Sequence, residues 1–152
     1  MAKAIYFDMD GTLADLYAVD DWLGKLQAED VSPYVEARCL LNMQALAHRL
    51  NTLQRKGYRI GVISWLCLGG SAEYGEAVTA AKLKWLAKHL GSVSWDEVHI
   101  VEYGMNKSEL AGVRNGYLFD DNADVRREWQ KGNRYGWAFD ASSILSVLEL
   151  LG

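Results

Sequence analysis

The sequence has few of the residues that mark secreted, membrane or nucleic-acid-binding proteins. Of its 152 residues, two are cysteine and one is proline. Cys39 and Cys67 form neither a Cys-x-x-Cys pair nor a metal-ligand spacing, which argues against a disulfide framework and a zinc site. A reduced, cytoplasmic setting is therefore the expectation. No apolar run approaches the ~20 residues of a membrane span, and the residues before Asp8 lack the pattern of a signal peptide.

The sequence also lacks a strong excess of positive or negative charge. The chain carries 16 basic and 20 acidic residues, a net charge of −4. The longest basic runs are the pairs Arg55-Lys56 and Arg126-Arg127, so strong nucleic-acid binding and membrane-surface binding are not expected. Half of the residues are apolar, which at this length supports one domain, residues 1–152, around one core.

Short apolar runs alternate with helical patterns along the chain. The predicted strands are Ala4–Phe7, Tyr58–Ser64, Glu97–Tyr103, Gly116–Asn122 and Arg134–Asp140. The predicted helices are Tyr17–Gln27, Asn42 (N-cap) to Gly57 (C′), Val78–Leu90 with Leu83 facing inward, Lys107–Val113, Asp124–Lys131, and Ala141–Leu151 with Asp140 as its cap. Residues 28–41 are expected to be irregular. This alternation predicts an α/β fold with a parallel sheet.

Carboxylates follow two of the predicted strands. Asp8 and Asp10 end the first strand in "IYFDMDGT", and Asp120 and Asp121 end the fourth in "YLFDD". Because the carboxyl ends of parallel strands meet at one edge of a sheet, these four side chains should lie close together. Crowded carboxylates repel unless a proton or cation is shared between them, and Mg²⁺ takes carboxylate oxygens together with a substrate phosphate. All four are candidate metal ligands.

Hydroxyl, backbone and ammonium donors accompany the acids. Gly11 lets backbone N–H groups approach a ligand closely, and Thr12 and Ser64 add hydroxyl groups. Trp65 follows Ser64 directly, at the rim of the expected site. With Lys107 these residues form a candidate phosphate-binding set, and together with the acids they indicate phosphoryl transfer.

Several lysines are candidates for the cation of this site. Lys107 stands shortly before Asp120, at the start of a short predicted helix. Lys82, Lys84 and Lys88 fall on a longer helix, where solvated lysines are the norm. Lys107 is therefore the preferred cation.

At these residues the sequence resembles the haloacid dehalogenase superfamily of phosphotransferases. The four motifs of that superfamily correspond here to "DMDGT", "GVIS", Lys107 and "YLFDD", in the same order. The resemblance covers essentially the whole chain. It implies a three-layer, Rossmann-like core with a five-stranded parallel sheet, and a cytoplasmic phosphatase that uses Mg²⁺.

Within the superfamily the sequence is most similar to the 5′(3′)-deoxyribonucleotidase-like group. There a Lys-x-x-Trp helix, a strand, a lysine and an Asp-Asp strand follow one another, as "AKLKWLAKHLG", "HIVEYGMNKSEL" and "YLFDDNADV" do here. The phosphatase part of phage-type polynucleotide kinases and small uncharacterised phage and bacterial proteins are also similar. The chain departs from the nucleotidases in its cap, which is reduced to an insert at about residues 17–41.

The resemblance implies a role for each motif residue. Asp8 is the expected nucleophile, which forms an aspartyl-phosphate, and Asp10 the expected acid and base. Lys107 is expected to neutralise Asp8 and the transferring phosphoryl group. Mg²⁺ is expected on Asp8, the backbone carbonyl of Asp10 and Asp121, with Asp120 alongside.

The substrate is expected to be a nucleotide or another small phosphomonoester. Candidate recognition residues are Tyr17, Asp20, Trp22, Tyr34 and Arg38 of the insert, together with Trp65. The aromatic residues could stack on a base or only cover the site. Two other functions stay open: a catalytically inactive binding or regulatory protein, and a nucleic-acid 3′-end phosphatase. A homodimer that closes the site is also left open.

Overall fold

A computed structural model describes residues 3–132 and 136–152 of the chain. Its main sheet has five parallel strands in the order β5-β4-β1-β6-β7. The strands are β1 (Ala4–Phe7), β4 (Arg59–Trp65), β5 (Glu97–Val101), β6 (Tyr117–Phe119) and β7 (Trp137–Phe139). Two short antiparallel strands, β2 (Ala14–Asp15) and β3 (Arg38–Cys39), form a separate pair. The predicted fold class and five-stranded parallel sheet are confirmed.

Helices lie on both faces of this sheet. They are α1 (Trp22–Gln27), α2 (Ser32–Glu36), α3 (Met43–Arg55), α4 (Ala72–His89), α5 (Lys107–Leu110), α6 (Ala123–Gly132) and α7 (Ile144–Leu151). Short 3₁₀ turns occupy Leu16–Ala18 and Ala141–Ser143. None of the described helices is long and apolar enough to cross a membrane.

Alternate side chains of β1 supply two hydrophobic cores. Ile5 and Phe7 face one side of the sheet, where they pack with Leu50 of α3. Tyr6 faces the other side and packs against Trp129 of α6, with ring centroids 5.6 Å apart. All of these side chains are buried. The central strand is therefore covered on both faces, as its continuous apolar sequence predicts.

The register of β1 brings the polar ends of three strands to one edge. Phe7 pairs with Phe119 of β6 and with a valine of β4 two residues before Ser64. The N–H of Asp8 donates to the carbonyl of Phe119 at 2.9 Å. Asp120 directly follows Phe119, so the acids that end β1 and β6 lie side by side.

Helix α3 follows the prediction closely. The side chain of Asn42 accepts the N–H of Ala45 at 3.0 Å and caps the helix. Gly57 follows the helix with φ +99°, the left-handed conformation that glycine adopts without strain. Its buried leucines face the core at helical spacing, at Leu46, Leu50 and Leu53.

Helix α4 is longer than predicted. It begins at Ala72 rather than at Val78, because Ser71 accepts the N–H of Tyr74 at 3.1 Å and acts as the N-cap. The glycine and polar residues of its first two turns conceal this start in the sequence. Leu83 was expected to face inward and is 46% exposed, so that prediction is wrong.

The insert at residues 17–41 has more regular structure than predicted. Its first helix, predicted from Tyr17, begins at Trp22. The stretch expected to be irregular contains α2 and β3. Pro33 lies in the first turn of α2, where a fixed φ and a missing N–H favour the start of a helix.

The insert is attached to α4. The hydroxyl of Tyr74 donates to the carbonyl of Asp30 at 2.8 Å. The hydroxyl of Ser71 donates to the carboxylate of Glu29 at 2.5 Å. Tyr34 of α2 belongs to an apolar cluster with side chains of α4. These contacts fix one side of the insert to α4.

The predicted C-terminal elements are present, with shorter strands than predicted. The strand expected over Arg134–Asp140 is observed as β7, and Arg134 and Tyr135 lie outside the described residues. Asp140 accepts the N–H of Ser142 at 3.1 Å, which confirms it as the cap of the turn before α7.

Glu97, at the start of β5, joins three parts of the fold. Its carboxylate accepts the Tyr6 hydroxyl at 2.6 Å, Arg59 Nε at 2.7 Å and the N–H of Gly112 at 2.7 Å. His99 lies 2.9 Å away on the same side chain. Burial raises the pKa of Glu97, but these hydrogen bonds outweigh burial and lower the pKa to about 2.

We expect Glu97→Gln to lower the free energy of unfolding at neutral pH by about 2 kcal/mol, since hydrogen bonds to a charged acceptor are lost. A lowered folded-state pKa stabilises the fold above the unfolded-state value of 4.5, and this contribution is lost as pH falls toward about 2. The difference in free energy of unfolding between variant and wild type, measured with urea, should therefore shrink as the pH falls across this range. Glu76→Gln, at an exposed position of α4, is the matched control. A difference independent of pH would contradict the assignment.

Candidate active site

The two motif aspartates extend from a tight turn after β1. The carbonyl of Met9 accepts the N–H groups of Leu13 and Ala14, each at 2.9 Å, which closes the turn. Asp8 is buried, and Asp10 is partly exposed toward the cavity described below. The turn therefore fixes both carboxylates at the edge where the strands end.

Gly11 sits in this turn with φ +81°. A Cβ at this position would overlap the carboxylate of Asp121 and lie 2.8 Å from Cε2 of Tyr17. Only glycine therefore permits both the turn and the close approach of the β6 acids.

Thr12 connects the two acidic motifs. Its hydroxyl donates to Oδ2 of Asp8 at 3.0 Å and accepts the N–H of Asp121 at 3.2 Å. The side chain is 1% exposed. Thr12 therefore holds Asp8 and Asp121 together, and its predicted contact with phosphate stays a prediction.

Three carboxylates converge at this point. One oxygen each from Asp8, Asp120 and Asp121 lies within 4.8 Å of the others. Asp120 is buried and its Oδ1 accepts the N–H of Asn122 at 3.0 Å, whereas Asp121 is exposed. The side chain of Asp10 turns to a lysine instead. Of the four predicted metal ligands, the structure brings three side chains together.

The electrostatics of the three acids favour a bound cation. Burial and then the charge of Asp8 raise the pKa values of Asp120 and Asp121. Each ionised carboxylate is thus destabilised first by its removal from water and then by its negative neighbour. An oxygen-only donor set of this charge fits a hard divalent cation.

Lys107 is the cation of this acidic group. It lies at the start of α5, is 3% exposed, and donates to Oδ1 of Asp8 at 3.0 Å and to Oδ2 of Asp120 at 2.8 Å. Burial lowers its pKa, but the charges of Asp8 and Asp120 outweigh burial and raise it. The ammonium group therefore remains charged beside the proposed nucleophile.

Lys82 is a second buried cation, although its helix predicted a solvated lysine at this position. That prediction is wrong, because Lys82 is 1% exposed. Its Nζ donates to Oδ2 of Asp10 at 3.0 Å, to Oγ of Ser64 at 2.7 Å and to the carbonyl of Trp65 at 2.8 Å. Burial raises the pKa of the Asp10 carboxyl, and the Lys82 ammonium opposes that rise.

The helical period of α4 contains the signal that identifies Lys82. Val78, Lys82 and Trp85 are spaced by four and three residues and are all buried. Lys84 and Lys88 fall on the opposite face and are exposed. The lysine therefore occupies a position in the apolar stripe, where burial requires polar partners.

A cavity of about 590 Å³ opens above the acids. Its walls include the motif side chains Asp8, Asp10, Lys107, Asp120 and Asp121 and the rings of Tyr17, Trp22, Tyr34, Trp65 and Tyr103. Arg38 and Asp20, two of the candidate recognition residues, are exposed and do not line this cavity.

The aromatic side chains form two pairs rather than one surface. Tyr17 and Trp22 of the insert meet edge to face, with ring centroids 4.8 Å apart. Trp65 contacts Tyr103 at 4.9 Å, and its indole N–H donates to the carbonyl of Met105 at 2.9 Å. Trp65 also covers the Lys107 ammonium, 5.2 Å from its ring centroid. One pair therefore lies on the insert and the other beside Lys107.

Among known proteins, similarity to this chain is found in solved structures and not in sequences. No family model and no curated protein matches the chain. D,D-heptose 1,7-bisphosphate phosphatase from B. bronchiseptica, determined with magnesium and phosphate, matches with a TM-score of 0.58 and 10% identity, over 99% of both chains. The corresponding enzyme from Burkholderia thailandensis matches with a TM-score of 0.51 and 17% identity, over 89% of this chain and 74% of the other.

These matches extend over nearly the whole chain, including the sheet that carries the acidic motifs. Their low identity makes them a statement about fold. The chain therefore has the fold of these two heptose bisphosphate phosphatases, and this agrees with the α/β core that its four motifs predict.

Proposed function

We propose that the protein is a Mg²⁺-dependent phosphomonoester hydrolase that acts through an aspartyl-phosphate. The observation that carries this proposal is the contact of Asp8 with Lys107 at 3.0 Å, within the group of three carboxylates. A carboxylate held beside a cation and a candidate metal site has what phosphoryl transfer requires.

The three acids supply the donors for Mg²⁺. Asp8, Asp120 and Asp121 offer oxygen ligands from two neighbouring strand ends. The structurally similar phosphatase from B. bronchiseptica was determined with magnesium and phosphate, which supports the choice of metal. When bound, Mg²⁺ would neutralise charge on the phosphoryl oxygens and orient the phosphate.

In the first step, a carboxylate oxygen of Asp8 attacks phosphorus and the bond to the leaving oxygen breaks. Asp10 gives its proton to that oxygen, so the alcohol leaves uncharged. Lys107 stabilises the charge that develops on the phosphoryl oxygens. It makes two hydrogen bonds within the described residues and has three N–H donors, which leaves one for the substrate.

In the second step, water attacks phosphorus and the bond to Asp8 breaks. Asp10 accepts the proton from this water, so inorganic phosphate leaves and both carboxyl groups return to their starting states. The hydroxyl of Ser64, at the end of β4, is a donor for a phosphoryl oxygen.

The proposed substrate is a nucleotide or another small phosphomonoester. Beyond the acids, the cavity is walled by rings and apolar side chains, among them Tyr17, Trp22, Tyr34 and Trp65. Such walls suit a flat leaving group, because aromatic stacking does not require charge.

Two alternatives compete with this proposal. An inactive binding protein would need none of the paired lysine–carboxylate contacts at Asp8 and Asp10. A phosphatase of nucleic-acid ends would need basic side chains along a groove, and among the described lining residues Lys107 is the single cation. Both observations favour the small-molecule phosphatase.

We expect Asp8→Asn to abolish turnover of 4-nitrophenyl phosphate while the fold is retained, because the amide is a poor nucleophile. Acid quench with ³²P-labelled substrate should trap phosphate on the wild type alone. Asp15→Asn, in β2 outside the cavity lining, is the matched control. Wild-type turnover in Asp8→Asn would show that Asp8 is not the nucleophile.

We expect Asp121→Asn to raise stability without metal, since it removes one of three crowded charges, and to lose most stabilisation by Mg²⁺. Melting temperatures with Mg²⁺ and with chelator measure both effects. Asp124→Asn, an exposed acid of α6, serves as the control. An equal Mg²⁺-induced shift in Asp121→Asn and wild type would exclude Asp121 as a ligand.

We expect Trp22→Ala to lower the ratio of kcat/KM for thymidine 5′-monophosphate to that for deoxyribose 5-phosphate about tenfold, by loss of base stacking. Both substrates contain the deoxyribose 5-phosphate group, and only the first carries a base. Val35→Ala, exposed on α2 and outside the cavity lining, is the control. An unchanged ratio in Trp22→Ala, and in Trp65→Ala, would assign these rings a structural role only.

A further inference from the structure

Lys82 is a buried ion for which the four motifs provide no role. It is 1% exposed and reaches the end of β1 and the end of β4 from the middle of α4. A buried ammonium group is costly unless each of its N–H donors has an acceptor. The three N–H donors of Lys82 must therefore find acceptors inside the protein.

The hydrogen bonds of Lys82 limit what it can do. A lysine ammonium has three donors, and here the acceptors are Oδ2 of Asp10, Oγ of Ser64 and the carbonyl of Trp65. All three donors are used within the protein. Lys82 thus differs from Lys107, which makes two such bonds. Substrate binding falls to Lys107, and Lys82 acts on other side chains.

The first of these side chains is Asp10. Lys82 holds one carboxylate oxygen, Oδ2, at 3.0 Å. Among the described residues Oδ1 accepts no hydrogen bond, and Asp10 lines the cavity. The ammonium therefore fixes the carboxylate by one oxygen and leaves the other for the substrate side.

The second is Ser64. A hydroxyl has one donor and two acceptor lone pairs, and Lys82 occupies one lone pair at 2.7 Å. Since an ammonium group accepts no hydrogen bond, the Ser64 proton must point elsewhere. Ser64 is fully buried and has no other partner in the described part of the chain. Its proton therefore has no acceptor in the described part of the chain, and Ser64 lies directly before Trp65, which lines the cavity.

We propose that Lys82 is a positioning residue with two effects. It orients the Asp10 carboxylate for proton transfer, and it makes Ser64 a hydrogen-bond donor to the phosphate. The inference rests on the proposed phosphatase function and deepens it. In this proposal Lys82 orients the catalytic side chains, and Lys107 neutralises the charge of the nucleophile Asp8.

Lys82→Met tests the proposal, because methionine fills similar volume without donors. We expect kcat for 4-nitrophenyl phosphate to fall about 100-fold, at the low end of the contribution of acid–base catalysis, and the midpoint for Mg²⁺ stabilisation to stay unchanged. Lys84→Met, on the exposed face of the same helix, should retain wild-type kcat. Lys82→Gln, which keeps an amide donor, should recover about tenfold of the lost rate.

A double-mutant cycle with Ser64→Ala separates positioning from general destabilisation. If Lys82 acts partly through Ser64, the double variant loses less activity than the product of the single losses. Independent, multiplicative losses, or a fall in kcat that follows the fraction of unfolded protein, would overturn the proposal. So would equal kcat in Lys82→Met and Lys82→Gln. Absence of turnover in the wild type would instead overturn the phosphatase function itself.

Discussion

The fold depends on one electrostatic constraint at the carboxyl edge of its sheet. Parallel pairing of β1 with β6 sets Asp8 beside Asp120, and the following residues add Asp10 and Asp121. Four carboxyl groups here face two ammonium groups, those of Lys82 and Lys107, and when all four are ionised two negative charges are left uncompensated. A divalent cation would balance that remainder, which makes a metal the natural third member of the arrangement.

The two lysines lie on helices of very different length. Lys82 stands in the middle of α4, an 18-residue helix whose buried side holds it in place. Lys107 begins α5, a helix of 4 residues that is too short to be stable alone. The chain just after α5 is fixed instead by Glu97, which accepts the N–H of Gly112, and by Tyr6, which accepts the N–H of Val113. Hydrogen bonds outside the cavity thus restrain the segment that carries Lys107, the proposed catalytic cation.

Sequence alone was sufficient wherever a local pattern and a long-range requirement coincide. The apolar run of β1 and the cap at Asn42 show this, and both are confirmed. The start of α4 was missed because its first turns are held by contacts with the insert. Lys82 was missed because residue type outweighed periodicity: lysines are usually solvated, yet position 82 lies on the buried stripe. Its partners come from other elements, and no local pattern reveals those contacts.

Helix α4 also connects the insert, the proposed recognition element, with Asp10, the proposed acid and base. Its first turns bind the insert through Tyr74 and Asp30, and its middle holds Asp10 through Lys82. Tyr34 of the insert lies with its ring 5.2 Å from the Lys82 ammonium, so one cation touches both regions. A flat cation–π contact of this kind tolerates small shifts of the ring more readily than a directional hydrogen bond does. The insert that is proposed to contact the leaving group is therefore linked to Asp10 and Ser64 through one buried cation, Lys82.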